Sequence, residues 1–390
     1  MRFNLLKSRV KSGYQTVIRP PKIWQLPKKS EILIYDACGA EYLTPYLSGY
    51  RIEIIPVRRE SVNVPILIRS IFTLDFWRGK KQVYIDAFIR EVSPKLIITF
   101  IDNSIDFYTI SNRFPNIRTI FIQNGSRSEI GDIFGHLVQS DDYHVDYMLV
   151  HGAAIGRHYQ KYISGKTIVI GSFKNNTIKS FVDVADESIL FISQFIDKPK
   201  NNEPLWIEND DVRIYWDQVI RSEVRALKFL SKWCTENRKL LRICGRGIDE
   251  QGLEQRFYAD ILKDCTWEYI PRPDKFGSYK LVDNAEIVVF IDSTLGYESL
   301  GRGNKTASFS CRGVSLNNDA TKFGWPADLP DNGPFWTNEA NEIEFHRVMD
   351  YLSKVSDKDW GQTLQSYLPE LMTYDPGNSQ FINLMHELVS

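Results

Sequence analysis

The stretch VFIDSTLGYESLGRGNKTASFS, residues 289–310, decides how the chain is read. An apolar run over 286–292 ends in Asp292-Ser293-Thr294, a short segment with Gly296 and Glu298 follows, and a β-rich run begins at Thr306. This is the pattern of a buried strand, a helix and a second strand. A helix opening near Ser293-Thr294 points its unpaired N–H groups and positive dipole end beyond the strand's carboxyl edge. Such a site suits a phosphate. The hydroxyls of Ser293 and Thr294 add hydrogen bonds, and Gly296 has no side chain to obstruct a ligand. Glu298 lies about one turn beyond Thr294 on the same helix face. A carboxylate there can accept two hydrogen bonds from a ribose diol. Taken singly, each residue also has an ordinary reading. Ser, Thr and Asp292 serve as helix caps, and a mid-helix glutamate is a solvated charge.

Outward from this stretch, the chain repeats the same alternation. EILIYDA (31–37), YRIEIIPV (50–57), KLIITFID (95–102), IRTIFIQNG (117–125), DYMLVHG (146–152) and GKTIVIGS (165–172) are short, apolar and spaced to enclose crossovers. Near-continuous apolar strands of this kind form a parallel sheet covered on both faces. After a polar stretch at 173–187 the pattern restarts with SILFISQF (188–195), a helix over 219–237, KLLRICGRG (239–247), CTWEYIPR (265–272), EIVVFID (286–292) and TASFSC (306–311). The expected organisation is a basic arm at 1–29, one α/β domain at 30–172, a linker at 173–187, a second α/β domain at 188–355, and helices at 356–390 that pack back on the first domain. Two doubly wound Rossmann-like domains then face a central cleft, with ligands outside the carboxyl ends of the strands.

Composition bounds the rest. A chain of 390 residues with 43% hydrophobic content has enough apolar material for two cores. A net charge of −1 calls for no nucleic acid. The five cysteines are scattered without a CxxC pair, which suits a reducing cytoplasm and neither a disulfide framework nor a zinc site. No apolar run approaches the length of about 18 residues that a membrane helix needs. Residues 1–29 hold Arg2, Lys7, Arg9, Lys11, Arg19, Lys22, Lys28 and Lys29 with no acid, interleaved with Phe3, Leu5, Leu6, Tyr14 and Trp24. The arm reads either as a solvated lead-in or as a peripheral contact with an anionic membrane on its inner face.

The segment DSTLGYESLGRGNKTASFS resembles the donor-site signature of two-domain GT-B glycosyltransferases and their nucleotide-sugar epimerase relatives. There a small-residue turn precedes a helix bearing Glu, then Gly, Lys or Asn, and a strand. The resemblance implies that Ser293, Thr294 and Gly296 contact donor phosphate and that Glu298 contacts ribose. EYIPRPD is similar to the loop that meets the nucleobase in GT-B enzymes, near Ile270, with Arg272 able to reach a phosphate or acidic sugar. LIITFIDNSIDFYTIS and TIFIQNGSRSE are similar to segments of a bacterial surface carbohydrate or O-antigen biosynthesis family.

The other strand ends fit a cleft. In the first domain Asp102, Glu129 and His151 are candidate general bases, and Asn103, Asn124, Gly125 and Arg127 line the acceptor side. Asp102 is the first choice, because it ends the apolar strand LIITF. In the second domain Ser193 and Arg246 join the donor residues, the latter against phosphate. Turn and cap roles account for each of these equally. No GxGxxG, Walker, HExxH or GxSxG motif has its supporting context. Asp141-Asp142 and Asp210-Asp211 fall in polar loops, so no metal or cofactor is expected. The expected activity is a metal-independent glycosyltransferase taking a nucleotide-sugar donor to a glycan or lipid-linked acceptor. A nucleotide-sugar 2-epimerase, a CDP-linked polyol-phosphate transferase and a non-enzymatic binding protein are the alternatives.

Overall fold

A computed structural model describes residues 20–389 apart from 59, 74–78, 182–185, 209–211, 264, 273 and 275. Of the basic arm, Arg2, Lys7, Arg9, Lys11 and Arg19 lie outside the described residues.

The first half builds a six-stranded sheet from β1 (Ile32–Tyr35), β2 (Ile52–Ile55), β3 (Leu96–Thr99), β4 (Arg118–Ile122), β5 (His144–Val150) and β6 (Ser164–Val169). Its order is β2-β1-β3-β4-β5-β6, parallel throughout. The period of two along each strand sorts its side chains to opposite faces. Ile32, Ile34, Leu96, Ile98, Ile120 and Ile122 join one buried cluster, while Leu33, Tyr35, Ile97 and Phe121 join another. Both faces are thus covered, which is why these strands carry so little polar sequence.

The second half forms a seven-stranded sheet from β7 (Asp186–Ile192), β8 (Leu241–Cys244), β9 (Trp267–Ile270), β10 (Ala285–Phe290), β11 (Thr306–Ser308), β12 (Asn332–Gly333) and β13 (Trp336–Thr337). The order is β9-β8-β7-β10-β11-β13-β12, with only the last pair antiparallel. The topological switch point lies between β7 and β10, so the stretch after β10 opens where doubly wound sheets hold ligands. β12 and β13 had no signal in the sequence, because two-residue strands show no periodicity. The long helix Trp216–Glu236 packs on this sheet through Leu227, Leu230 and Trp233.

The crossing between the halves is packed where sequence suggested a loose linker. Phe173, Asn175 and Asn176 are buried. Asn176 Nδ2 donates to Ile170 O at 2.8 Å and to Asn378 Oδ1 at 3.0 Å, tying the two crossing strands of chain together. Arg302 is enclosed beside Asp283, and its guanidinium also donates to Ile178 O at 3.1 Å and Lys179 O at 3.1 Å. The final helix Ser379–Val389 places Phe381, Leu384, Met385 and Val389 in the same cluster as Ile32 and Leu96. Phe381 meets Phe173 edge-on, with ring centroids 5.0 Å apart. Truncating a buried aromatic ring leaves a cavity, so Phe381→Ala should cost about 3–5 kcal/mol of folding free energy in urea denaturation. A cost below about 1 kcal/mol would show that this helix does not hold the first sheet's face.

Candidate functional site

The carboxyl ends of the two sheets meet around a cavity of about 180 Å³. The first half contributes Gln123, Arg127 and His151, and the second contributes Asp292, Tyr297 and Lys322. Gln123 follows β4, His151 follows β5 and Asp292 follows β10, so the cavity sits beyond the strand ends of both sheets.

Asp102, the expected base, has another role. It lies past the end of β3 and is fully buried. Arg127 Nε donates to Oδ2 at 2.6 Å and Arg127 Nη2 to Oδ1, a side-on pair. The Tyr159 hydroxyl and the Asn124 backbone N–H, at 3.0 Å, complete the shell. Burial alone would push this carboxyl up, but Arg127 and these hydrogen bonds together hold it below the usual carboxylate range. With its lone pairs committed, Asp102 has no oxygen to offer an acceptor hydroxyl. It instead fixes the turn 124–128 and through it aims Arg127 at the cavity. Asn124 takes part in that shell, its Oδ1 accepting from Arg127. Asn103 is exposed, and Glu129 is not among the cavity-lining residues.

His151 borders the cavity but is nearly enclosed. Its Nε2 lies 3.2 Å from Gln123 O, and a carbonyl only accepts, so Nε2 carries the hydrogen. Burial pushes its pKa down to about 3, leaving the ring neutral. Gln123 Oε1 in turn accepts the His151 backbone N–H at 2.9 Å, and its Nε2 donates to Gly125 O at 2.9 Å.

The opening stretch folds as a helix, Thr294–Gly301, with Ser293 as its N-cap. Ser293 makes no side-chain capping bond, so its hydroxyl is not used by the helix. The N–H groups of Thr294 and Leu295 have no intrahelical acceptor. Thr294 Oγ1 accepts the Ser126 N–H at 2.9 Å, joining the halves at the cavity. A Cβ on Gly296 would strike the Phe290 ring at 2.1 Å, so this glycine serves close helix–strand packing. Glu298 is buried: Ser172 of the first half donates to Oε1, and the Tyr279 hydroxyl donates to Oε2 at 2.8 Å. Burial raises its pKa. With the carboxyl buried between these two groups, a ribose reaches Glu298 only if Ser172 or Tyr279 moves.

Ser193 belongs to a neighbouring buried network, which exposed Arg246 joins only through its backbone N–H. Glu223, Tyr258, Ser193 and Glu254 form three successive links, a hydroxyl–hydroxyl contact between two hydroxyl–carboxyl ones. Two hydroxyls supply two hydrogens, so the third must come from a carboxyl. Glu254 also accepts the Arg246 N–H at 3.0 Å and the Tyr269 hydroxyl at 2.9 Å. Glu223 is the carboxyl that keeps a proton: burial, chiefly, pushes it up to about 7. Ile270 O is taken by the Gly245 N–H at 2.9 Å, and Arg272 N donates to Gly247 O at 3.2 Å. These residues lie along β7–β9, beyond the cavity lining.

Sequence reasoning treated Asp292 only as a cap. The structure puts it on the cavity wall with one oxygen held by Arg312 and its side chain 37% exposed. The signal was its place at the end of β10; Arg312, twenty positions on, had no motif to flag it. Among the described residues, no group of three His, Cys, Asp or Glu is placed to hold a metal ion. No helix among them is long and apolar enough to cross a membrane.

Residues 120–389 match a family described as "putative O-antigen biosynthesis protein". The chain belongs to that family. No curated protein matches the chain by sequence. Among solved structures, this family member resembles a glycosyltransferase from Rickettsia africae at 10% identity and a TM-score of 0.51, over 95% of this chain and 99% of that one. It also resembles UDP-GlcNAc 2-epimerase from Neisseria meningitidis bound to UDP-GlcNAc, at 8% identity and 0.51, over 91% and 99%. The S. aureus MnaA–UDP co-structure is similar at 11% identity and 0.51, over 92% and 96%. What they share with this chain is the GT-B fold: two Rossmann-like domains about a cleft.

Two tests follow from this geometry. Asp102→Asn removes the nearer counter-charge of a buried guanidinium and leaves only Asp132, 3.5 Å from Nη1, so it should cost about 3 kcal/mol in denaturant unfolding; a cost below about 1 kcal/mol would contradict the structural role. Glu223 has a folded pKa raised to about 7, above its unfolded value of about 4.3. Its contribution to stability is full below the unfolded value and lost as pH rises through about 7. Glu223→Gln should flatten the stability profile between those values, and an unchanged slope would sink the protonated assignment.

Proposed function

We propose that this protein is a GT-B glycosyltransferase that moves a sugar from a nucleotide-activated donor to a glycan or lipid-linked acceptor in surface polysaccharide synthesis. The observation that carries the reading is the cavity itself. It joins the carboxyl edges of both sheets, with a helix N-terminus opening beside it, in a chain of an O-antigen biosynthesis family. The donor's phosphates would lie against the Ser293 hydroxyl and the Thr294 and Leu295 N–H groups. Charge developing on the leaving phosphate is then met by preorganised donors. Arg127 and neutral His151 would orient the sugar.

Asp292 replaces Asp102 as the proposed base. Arg312 holds one of its oxygens from behind, and the carboxylate borders the cavity. Epimerisation of a nucleotide-sugar is the second reading. It is favoured by the ties at Thr294 and Glu298, which close the halves over a small cavity and suit a single soluble substrate.

Incubation with UDP-, GDP-, CMP- and CDP-linked sugars, followed by thermal shift, identifies the donor. A binder at about 100-fold excess over Kd stabilises by about 2.7 kcal/mol. Mass spectrometry then separates the readings: transfer yields a free nucleotide and a glycosylated acceptor, whereas epimerisation proceeds without acceptor. Absence of any shift across the panel would contradict both. Asp292→Asn should lower turnover by about 10²-fold or more while leaving the donor-induced shift intact. Near-normal turnover would remove Asp292 from the chemistry.

A further inference from the structure

The helix Val64–Ile71 buries Ile66 and Ser70 on its inner side, where it packs beside the helix Lys80–Val92. Its outer side carries Ile68, Ile71 and the following Phe72, the last 84% exposed. Positions 64, 68, 71 and 72 fall on one helical stripe. Beside it runs the segment 21–25. Lys22 and Ile23 pair with Val62 and Asn63, and Asn63 Nδ2 donates to Gln25 O at 2.8 Å. That pairing holds exposed Ile23, Trp24 and Leu26 next to the helix's first turn, with Trp24 72% exposed. A cavity of about 140 Å³ lined by apolar Ile23, Leu26, Ile54 and Phe88 and by charged Lys28 and Glu53 joins the patch to the edge strand β2. Single exposed apolar side chains are ordinary, but a contiguous group of this kind marks a contact surface.

Charge selects the partner. Lys28 and Lys29 are exposed at the patch. Residues 1–21, which lead directly into it, contain Arg2, Lys7, Arg9, Lys11 and Arg19 and no acid. Exposed Trp and Phe flanked by basic residues suit the interface of a bilayer carrying negative headgroups. A second copy of this chain would set the same lysines and arginines against each other.

We propose that this face docks on an anionic lipid bilayer, with Trp24, Ile68, Ile71 and Phe72 entering the headgroup region and Lys28 and Lys29 meeting lipid phosphates. The docking face is independent of the reaction proposed above, so its test succeeds or fails separately. Full-length protein is co-sedimented with vesicles of phosphatidylcholine alone and of phosphatidylcholine with phosphatidylglycerol, at low and high salt. Binding to the anionic vesicles, weakened by salt, is expected. Trp24→Ser combined with Phe72→Ser should lower partitioning by about tenfold or more with an unchanged melting temperature. Phe72→Ser alone repeats the test if the pair proves unstable. Lys28→Glu with Lys29→Glu should weaken binding only to the anionic vesicles. Wild-type indifference to phosphatidylglycerol, or apolar variants that bind as well as wild type, would overturn the proposal. Variants that dissociate a dimer while leaving vesicle binding unchanged would also overturn it.

Discussion

A carboxyl group taken out of water must find hydrogen-bond partners, and Glu298 finds them on both sides of the cleft. Ser172 comes from the first half and Tyr279 from the second, so the burial of Glu298 and the meeting of the halves are one event. Leaving such a group unpaired would cost several kcal/mol. Thr294 repeats the device at the cavity rim through the Ser126 N–H, and Arg302 repeats it below, against carbonyls of the crossing segment. The cavity exists because these contacts hold the two sheet edges together. A nucleotide that uses Thr294 and Glu298 must trade places with protein groups, which links binding to movement of one half against the other.

The alternating apolar runs made the fold legible. Parallel strands covered on both faces leave an unmistakable record in sequence, and all six strands of the first sheet were read from it. β12 and β13 were not, because two residues have no period. The packing of 173–178 was hidden as well. Asn175 and Asn176 look like loop residues, and only the structure reveals that their side chains stitch the crossings together.

Which sheet edge a residue occupies is easier to read from sequence than the role it plays there. Chain direction alone fixes which sheet edge a residue occupies, and it points to Gln123, Arg127, His151 and Asp292, which line the cavity. It could not say which carboxylates are spent on structure. Asp102 and Asp292 both follow apolar strands, and nothing local distinguishes them. The difference is that Arg127 closes side-on over Asp102 with Tyr159 behind, whereas Arg312 takes one oxygen of Asp292 and leaves the other. Those pairings span 25 and 20 residues, beyond the reach of a spacing rule.

Hydrogen exchange read by mass spectrometry, with and without a bound nucleotide-sugar, tests most directly whether the cavity between the sheets is the binding site. The account predicts added protection in two separate segments at once, 124–128 of the first half and 293–298 of the second, with little change at the outer strands. Protection confined to one half, or absent from both segments under saturating ligand, would contradict it.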